Sequence, residues 1–367
     1  MKSINHFRRR TLVTAAASIG LSMSMGAAAQ LPSMATGENG YVVSEPVFTI
    51  GESIGDYTPP GVIDGIGAYR LNKDTVRVLA NHELLWFRGY PYDVRSGAGG
   101  KFSMTGARVS YFDIDRDSRE IVDSGLAYKR IYDANGDQAT DTSFLANNLG
   151  GFSRFCSSNL VEARQFGKGR GLRNRIYFTG EEDGGFFNPV GGAEWALDPR
   201  KGEIWQLPDL GGGAWENVTE LDTGNRQQVA ILLADDSSPF NFDDEPDLEA
   251  APLYLYIGNK NKRSNDFPAR NGLRGGTLYV WVADNGATRP SEFNGNGAVL
   301  AGSWVEIDNA PTGTPSEDGS TGFDEYGYPT QGTLWLRAEE LGAFGFSRPE
   351  DVATNPADGT QAVSYTH

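Results

Sequence analysis

The sequence predicts an all-β protein, and three observations carry that expectation. Short runs rich in Val, Ile, Tyr, Phe and Trp recur along the chain, each bounded by Gly, Asp, Asn or Pro. The 47 glycines suffice for the many tight turns such a succession needs. Helical patterns are scarce, and the best of them, Arg337 to Leu341, is short. Several segments also repeat one form: a strand ending in Asp, a turn, then a second strand. Ala196-Leu197-Asp198, continuing through Pro199 to Trp205, is one; Tyr111 to Asp115, followed by Arg116 to Val122, is another. Degenerate hairpin units of this kind suit a β-propeller, in which four-stranded blades ring a channel; several β-sandwiches are the alternative.

Taken in order, the chain opens on a segment that reads as an export leader over residues 1–29. Arg8-Arg9-Arg10 precedes a small, apolar run from Thr14 to Ala27, and Ala27-Ala28-Ala29 before Gln30 forms a small-residue cleavage site. The adjacent Arg9-Arg10, one spacer and two apolar residues fit a bacterial twin-arginine signal; an ordinary secretory signal is the alternative. The remainder, residues 30–367, is expected to be one domain, delivered by the twin-arginine export machinery to the periplasm or the medium. No later run is long and apolar enough to cross a bilayer as a helix.

Strand signals then follow at Tyr41 to Ile50, Thr75 to Ala80, Ala107 to Ile114, Arg175 to Thr179, Gly192 to Leu197 and Glu203 to Leu207. They continue at Gln228 to Ala234, Pro252 to Ile257, Gly276 to Val282, Ser303 to Ile307, Gly332 to Leu336 and Gln361 to Tyr365. Tyr254-Leu255-Tyr256-Ile257 and Tyr279-Val280-Trp281-Val282 read as buried on both faces. The last signal has no turn after it. A propeller must close its ring to remove exposed edges, so the final blade is expected to be incomplete.

Charge and residue counts narrow the chemistry. The formal net charge is −16, and removing the leader with Lys2, Arg8, Arg9 and Arg10 takes it to −20. Such a surface disfavours nucleic acid and anionic membranes, and repels an anionic substrate unless bound cations invert the local field. Of the 3 histidines, His6 lies in the leader and His367 is the last residue, so only His82 can serve a site. A multi-histidine zinc site is excluded by counting. The single Cys156 excludes an internal disulfide. With 48 Asp and Glu, oxygen-rich coordination of hard cations stays open.

The candidate groups sit where strand signals end. Asn81-His82-Glu83 follows one strand and offers carbonyl and carboxylate oxygens to Ca²⁺, or forms a solvated strand end. Cys156 follows Gly150-Gly151-Phe152-Ser153-Arg154-Phe155 and is either a small buried hydrophobe or a thiolate ligand. Glu181-Glu182-Asp183 and Asp235-Asp236 place adjacent acids at strand ends, where solvent or a metal must relieve their repulsion. In Arg348-Pro349-Glu350-Asp351, proline separates a cation from a carboxylate and is expected to hold Arg348 extended; a surface turn with an ion pair is the plain reading. Asp133-Ala134-Asn135-Gly136-Asp137 has Gln138 where a calcium loop needs glycine, and reads as an Asn-Gly turn.

In order, Asp64-Gly65, Asn81-His82-Glu83, Cys156, Glu181-Glu182, Glu216, Asp235 and Arg348-Pro349-Glu350-Asp351 resemble the PhoX-type alkaline phosphatases, from about Asp64 to the C-terminus. The resemblance implies a six-bladed propeller, exported folded, with Fe³⁺ and Ca²⁺ in its channel, acting on small phosphomonoesters. Carried over, Cys156 ligates iron. Glu182, Glu216, Asp235 and Glu350 are metal-binding carboxylates, Glu181 is a further candidate, and Arg348 contacts phosphate. The sequence departs from the family pattern between Ser157 and Gly180, a longer stretch rich in Arg, Lys and Gly, and at Trp215-Glu216, where the family has a His-Glu pair. Two other functions remain open on the residues alone: a calcium-stabilised binding or scaffold propeller, and a propeller esterase or lactonase using one divalent cation.

Overall fold

The computed structural model describes residues 37, 46–145, 149–184, 188, 190–240, 243–246, 248–295, 297–316 and 321–366. The expected leader, 1–29, and the first half of the first strand signal, residues 41–45, lie outside the described residues.

The first sheet is an antiparallel meander of β1 (Ile63–Arg70), β2 (Thr75–His82) and, beyond a small hairpin of β3 (Tyr92–Arg95) and β4 (Lys101–Gly106), β5 (Arg108–Asp115) and β6 (Ile121–Leu126). Next come β7 (Arg130–Tyr132), and β8 (Gly151–Phe152), which pairs with β4. The second meander comprises β9 (Phe155–Val161), β10 (Ile176–Glu181), β11 (Glu194–Asp198) and β12 (Glu203–Gln206), with β7 added in parallel at the β12 edge. The third sheet runs β13 (Trp215–Leu221), β14 (Gln228–Asp235), β16 (Tyr254–Asn259), β17 (Thr277–Ala283) and β18 (Gly302–Ile307); β15 (Ala251–Pro252) instead pairs with β19 (Gly345–Phe346). Two helices, α1 (Phe267–Asn271) and α2 (Gln331–Glu340), interrupt the strands. A final hairpin joins β20 (Pro349–Thr354) and β21 (Ala362–Thr366). The all-β class is thus as read from the sequence.

The sheets stack face to face, and the first strand of each lies beside the first strand of the next: β1 against β9, β9 against β13, β13 against β20. Side-chain alternation explains why the middle strands are hydrophobic throughout. In β10, Tyr177 points to the first sheet and joins Tyr69, Leu79, Val109 and Trp195. Its neighbours Ile176 and Phe178 point to the third sheet and join Val229, Ile231 and Leu233 of β14. The alternate β14 residues Ala230, Leu232 and Ala234 face the last hairpin and meet Val352. Each large side chain so buried contributes roughly 1.5–3 kcal/mol relative to exposure.

Two departures from the sequence expectations are informative. The expected strand Gly332 to Leu336 lies within α2, and Arg337 to Leu341 forms only its last turn and cap. Thr330 caps this helix by accepting from the Thr333 amide, and Leu334 and Ala338, one turn apart, are its buried apolar contacts. Leu334 and Leu336, two residues apart, create a false alternation, because Leu336 is exposed. Conversely, β1, β9 and β13 were not among the strand signals. These are the first strands of their sheets, and each is interrupted by polar residues or glycine: Gly65 and Gly67, Ser157 to Asn159, and Glu216 and Asn217. Gly65 is required by close approach, since a Cβ there would lie 2.5 Å from the Ser158 backbone nitrogen.

Candidate metal centre

Strand register gathers the candidate groups at one end of the sheets. Glu181, ending β10, lies opposite Phe155, which begins β9. Asp235, ending β14, lies opposite Trp215, which begins β13. β2 ends at His82, with Glu83 just beyond. Residues far apart in the chain therefore meet because each lies at the same end of a neighbouring strand.

At the centre is Cys156, which is buried. Its Sγ and one carboxylate oxygen each from Asp64 and Glu83 lie within 4.8 Å of one another, as do its Sγ and oxygens of Glu182 and Glu216. The thiol donates to Glu216 Oε1 at 3.3 Å. Arg154 donates to Glu83 at 3.0 Å and also pairs with Glu182, clamping carboxylates from two different sheets. Beside this group, Arg348 holds Asp236 through two parallel hydrogen bonds of 2.8 Å, with Glu350 3.9 Å from its Nη2.

Burial dominates the electrostatics of the cluster. Burial, followed by the charges of Glu216, Glu182 and Asp64, pushes the Cys156 thiol well up from its ordinary value. Burial also pushes Glu216 up to about 8. Glu182 rises to about 7, again through burial, with Arg154 opposing the rise. Asp64 is raised by burial and then by Glu83. Near pH 7 and without a cation, the Cys156 thiol and Glu216 hold their protons. The donor set fits metal: carboxylate oxygens suit Ca²⁺, and a thiolate among them suits a transition metal such as iron. A bound cation would displace the protons and stabilise both thiolate and carboxylates.

Of the expected ligands, the cluster includes Cys156, Glu83, Glu182 and Glu216. The structure places three others outside it. Asn81 is fully buried; its amide donates to the Cys156 carbonyl at 2.6 Å and to Thr179 at 2.9 Å, while its oxygen accepts from Tyr177. It positions the cysteine strand from behind. Glu181 points to the opposite face from Glu182, where its carboxylate accepts from the Ser153 amide at 3.0 Å and Trp195 Nε1 at 3.1 Å. Asp235 is likewise turned into the core, accepting from the Ala214 amide, Ser237, Gln331 and Trp335. The next residue, Asp236, occupies the site side instead.

Glu350 stands by Arg348 but belongs to neither three-residue group around the sulfur. Arg348 is not extended, because its φ is +40°, in the left-handed region despite the following proline. His82, facing away from the cluster, bonds the Gly61 carbonyl and the Ser110 hydroxyl, and burial lowers it to about 4, so it stays neutral near pH 7.

Four further residues bear on the site, and the family resemblance assigns none of them a ligand role of its own. Asp64 stood in the ordered motif series without assignment. Asp236 needed the strand pleat to separate it from Asp235. Asp351, which accepts from Ser157 at 3.2 Å and Asn217 at 2.8 Å, follows the residue singled out. Arg154 carried no local signal, since its partners are 71 and 28 residues away.

No family model matches the chain, and no curated protein matches it. Among solved structures it is similar to Pseudomonas fluorescens PhoX in complex with vanadate, a transition state analogue, at 18% sequence identity and a TM-score of 0.47. That similarity covers 81% of this chain and 57% of the PhoX chain, so this chain spans less than two thirds of its length.

Proposed function

We propose that this chain is an exported, metal-dependent phosphomonoester hydrolase of the alkaline phosphatase type. Its three meanders and last hairpin would form part of a six-bladed propeller, with the leader directing twin-arginine export to the periplasm or beyond. The observation that carries the reading is the buried Cys156 thiol enclosed by Asp64, Glu83, Glu182 and Glu216, with Arg154 and Arg348 alongside. Iron at the thiolate and calcium among carboxylates would neutralise a phosphate and stabilise charge in its transfer. The residues divide the remaining work. Cys156, Glu182 and Glu216 would hold one cation, and Asp64 and Glu83 would share Cys156 in holding a second. Arg154 fixes Glu83 and Glu182 relative to each other, and Asn81 fixes the backbone at Cys156. Arg348 uses two of its five N–H donors on Asp236, leaving others for phosphate oxygens.

The test is turnover of 4-nitrophenyl phosphate by the protein loaded with iron and calcium, with metal content measured in parallel. Glu182→Gln and Glu216→Gln should lose metal and turnover together, each by about 10-fold or more. Absence of phosphate-ester turnover by metal-loaded wild type overturns the reading. One observation favours a calcium-stabilised scaffold in that event: Arg154 and Arg348 are both already paired with carboxylates. Metal binding without turnover of phosphate or carboxylic esters, including lactones, would support it.

A further inference from the structure

At the opposite end of the sheets lies a feature that the metal centre does not use. The register that puts Phe155, Glu181, Trp215 and Asp235 at one end puts Val161, Ile176, Leu221 and Gln228 at the other. Seven residues of β9 separate the two ends by about 20 Å. There the Arg-, Lys- and Gly-rich stretch after Cys156 forms a long loop between β9 and β10. It meets the β13–β14 turn and the segment after β16.

A cleft of about 280 Å³ is lined by Arg164, Lys168, Arg173, Arg226, Lys260 and Lys262, with no acid in its wall. Among the described residues none of these six forms an ion pair within 4.0 Å of a carboxylate. Arg164, Lys168, Arg226 and Lys262 are exposed, while Lys260 is buried and Arg173 half-buried. Lys260 and Arg173 are built into the wall. Lys260 Nζ donates to the Gly171 carbonyl, and Arg173 donates to the Lys262 carbonyl at 2.7 Å, tying the loops together. The loop is held in an unusual shape: Arg164 and Lys168 have φ of +58° and +51°, and Gly167, Gly169 and Gly171 are also positive. Of the nearby acids, Glu220 lies fully buried beside the loop, accepts from Gln165 and attracts Lys260; Asp222 pairs with Arg170, and Glu162 with Arg175.

In a chain with 48 acids and 32 Lys and Arg, gathering six cations around one cleft, with the buried Glu220 acting on Lys260 from behind its wall, is a strong local inversion of the field. We propose that this cleft is a second ligand site, which binds a small, multiply charged phosphate anion such as a linear triphosphate. Like charges so close repel one another, and an anion relieves that repulsion while accepting charge-assisted hydrogen bonds. The concave shape favours a compact anion over an extended duplex, and its volume is at the small end for ligand pockets. Several charged groups on the ligand are needed to reach cations from three separate loops. The inference does not depend on the phosphatase reading.

Metal-free protein separates the two sites, because its carboxylate-rich end repels anions. Inorganic tripolyphosphate is titrated into it by calorimetry at low salt, alongside orthophosphate and a short DNA duplex. The expected result is saturable 1:1 tripolyphosphate binding, about tenfold or more tighter than orthophosphate and weakened by added salt. Lys168→Glu with Lys262→Glu should weaken it at least about tenfold, and Cys156→Ser should leave it unchanged. Lys168→Ala and Lys262→Ala, each expected to weaken binding, serve if the double variant does not melt like wild type. The proposal is overturned by no saturable binding, by binding unaffected in the basic-cleft variants, or by binding lost in Cys156→Ser. Equal affinity for orthophosphate, or tighter binding of the duplex, overturns the choice of a compact, multiply charged ligand.

Discussion

At the scale of single residues, the site is organised by two arginines and one thiol. Arg348 is the sharper test of function. Its fork holds Asp236, whose side chain is almost wholly buried, so removing it leaves that carboxylate without its strongest partner. Arg348→Ala should cost about 1–3 kcal/mol of stability. If the arginine also meets phosphate in the transition state, turnover should fall by a further 2–4 kcal/mol, roughly the value of one strong oxyanion donor. Metal content should be unchanged. Arg348→Lys should recover charge but not the two-pronged geometry, and so should restore stability and turnover only in part. Thermal melts, elemental analysis and kcat/KM together check this. Wild-type turnover in Arg348→Ala would reduce the arginine to an anchor for Asp236.

At the scale of elements, the strand pleat decides which acid of each pair is available. Glu181 and Asp235 end their strands facing the core, whereas Glu182 and Asp236 face the site. The sequence shows the pairs but not the phase of the pleat, because the register depends on partners far along the chain. The middle strands were legible, since apolar residues on both faces give them a strong signal. β1, β9 and β13 were not, because Gly, Ser, Asn and Glu interrupt their apolar residues. The same logic explains the α2 error: its capping Thr330 and its Leu334–Ala338 contact are clear only once the neighbours are known. Close packing of β1 on β9 makes Gly65 a direct test. Gly65→Ala should destabilise by about 1–3 kcal/mol, because its methyl would strike the Ser157–Ser158 backbone rather than a movable side chain. It should also weaken metal binding by displacing Asp64 and Cys156. Denaturant unfolding and metal titration measure both effects; an unaltered midpoint and affinity would contradict the close approach.

At the scale of the whole molecule, an acidic chain folds around carboxylates that prefer to be neutral. Burial raises Glu216 and Glu220 to about 8 and Glu182 to about 7. A carboxyl raised in the fold binds its proton more tightly there than when unfolded. Its stabilising contribution is complete below about pH 4.5 and is lost as the pH rises through 7 to 8. Metal-free protein should therefore melt several degrees lower at pH 8.5 than at pH 5.5. Metal should remove much of this difference, because it replaces the protons of Glu182 and Glu216. Part of the difference should persist through Glu220, at the opposite end of the strands, and through Glu181, which faces the core and which burial raises to about 7. Melting curves at both pH values, with and without metal, check the sign. A metal-free protein that is more stable at pH 8.5 would contradict it.

The central claim is that Cys156 is a metal ligand rather than a buried thiol. The most direct measurement is X-ray absorption at the iron edge, on protein loaded with iron and calcium, with Cys156→Ser beside it. The account predicts an iron–sulfur scattering path at about 2.3 Å, the length usual for a metal–thiolate bond, together with oxygen neighbours from the carboxylates. That sulfur path should vanish in the serine variant while the protein still melts cooperatively. Bound iron with oxygen neighbours alone, or a spectrum unchanged by Cys156→Ser, would contradict it and return Cys156 to a thiol donating its hydrogen bond to Glu216.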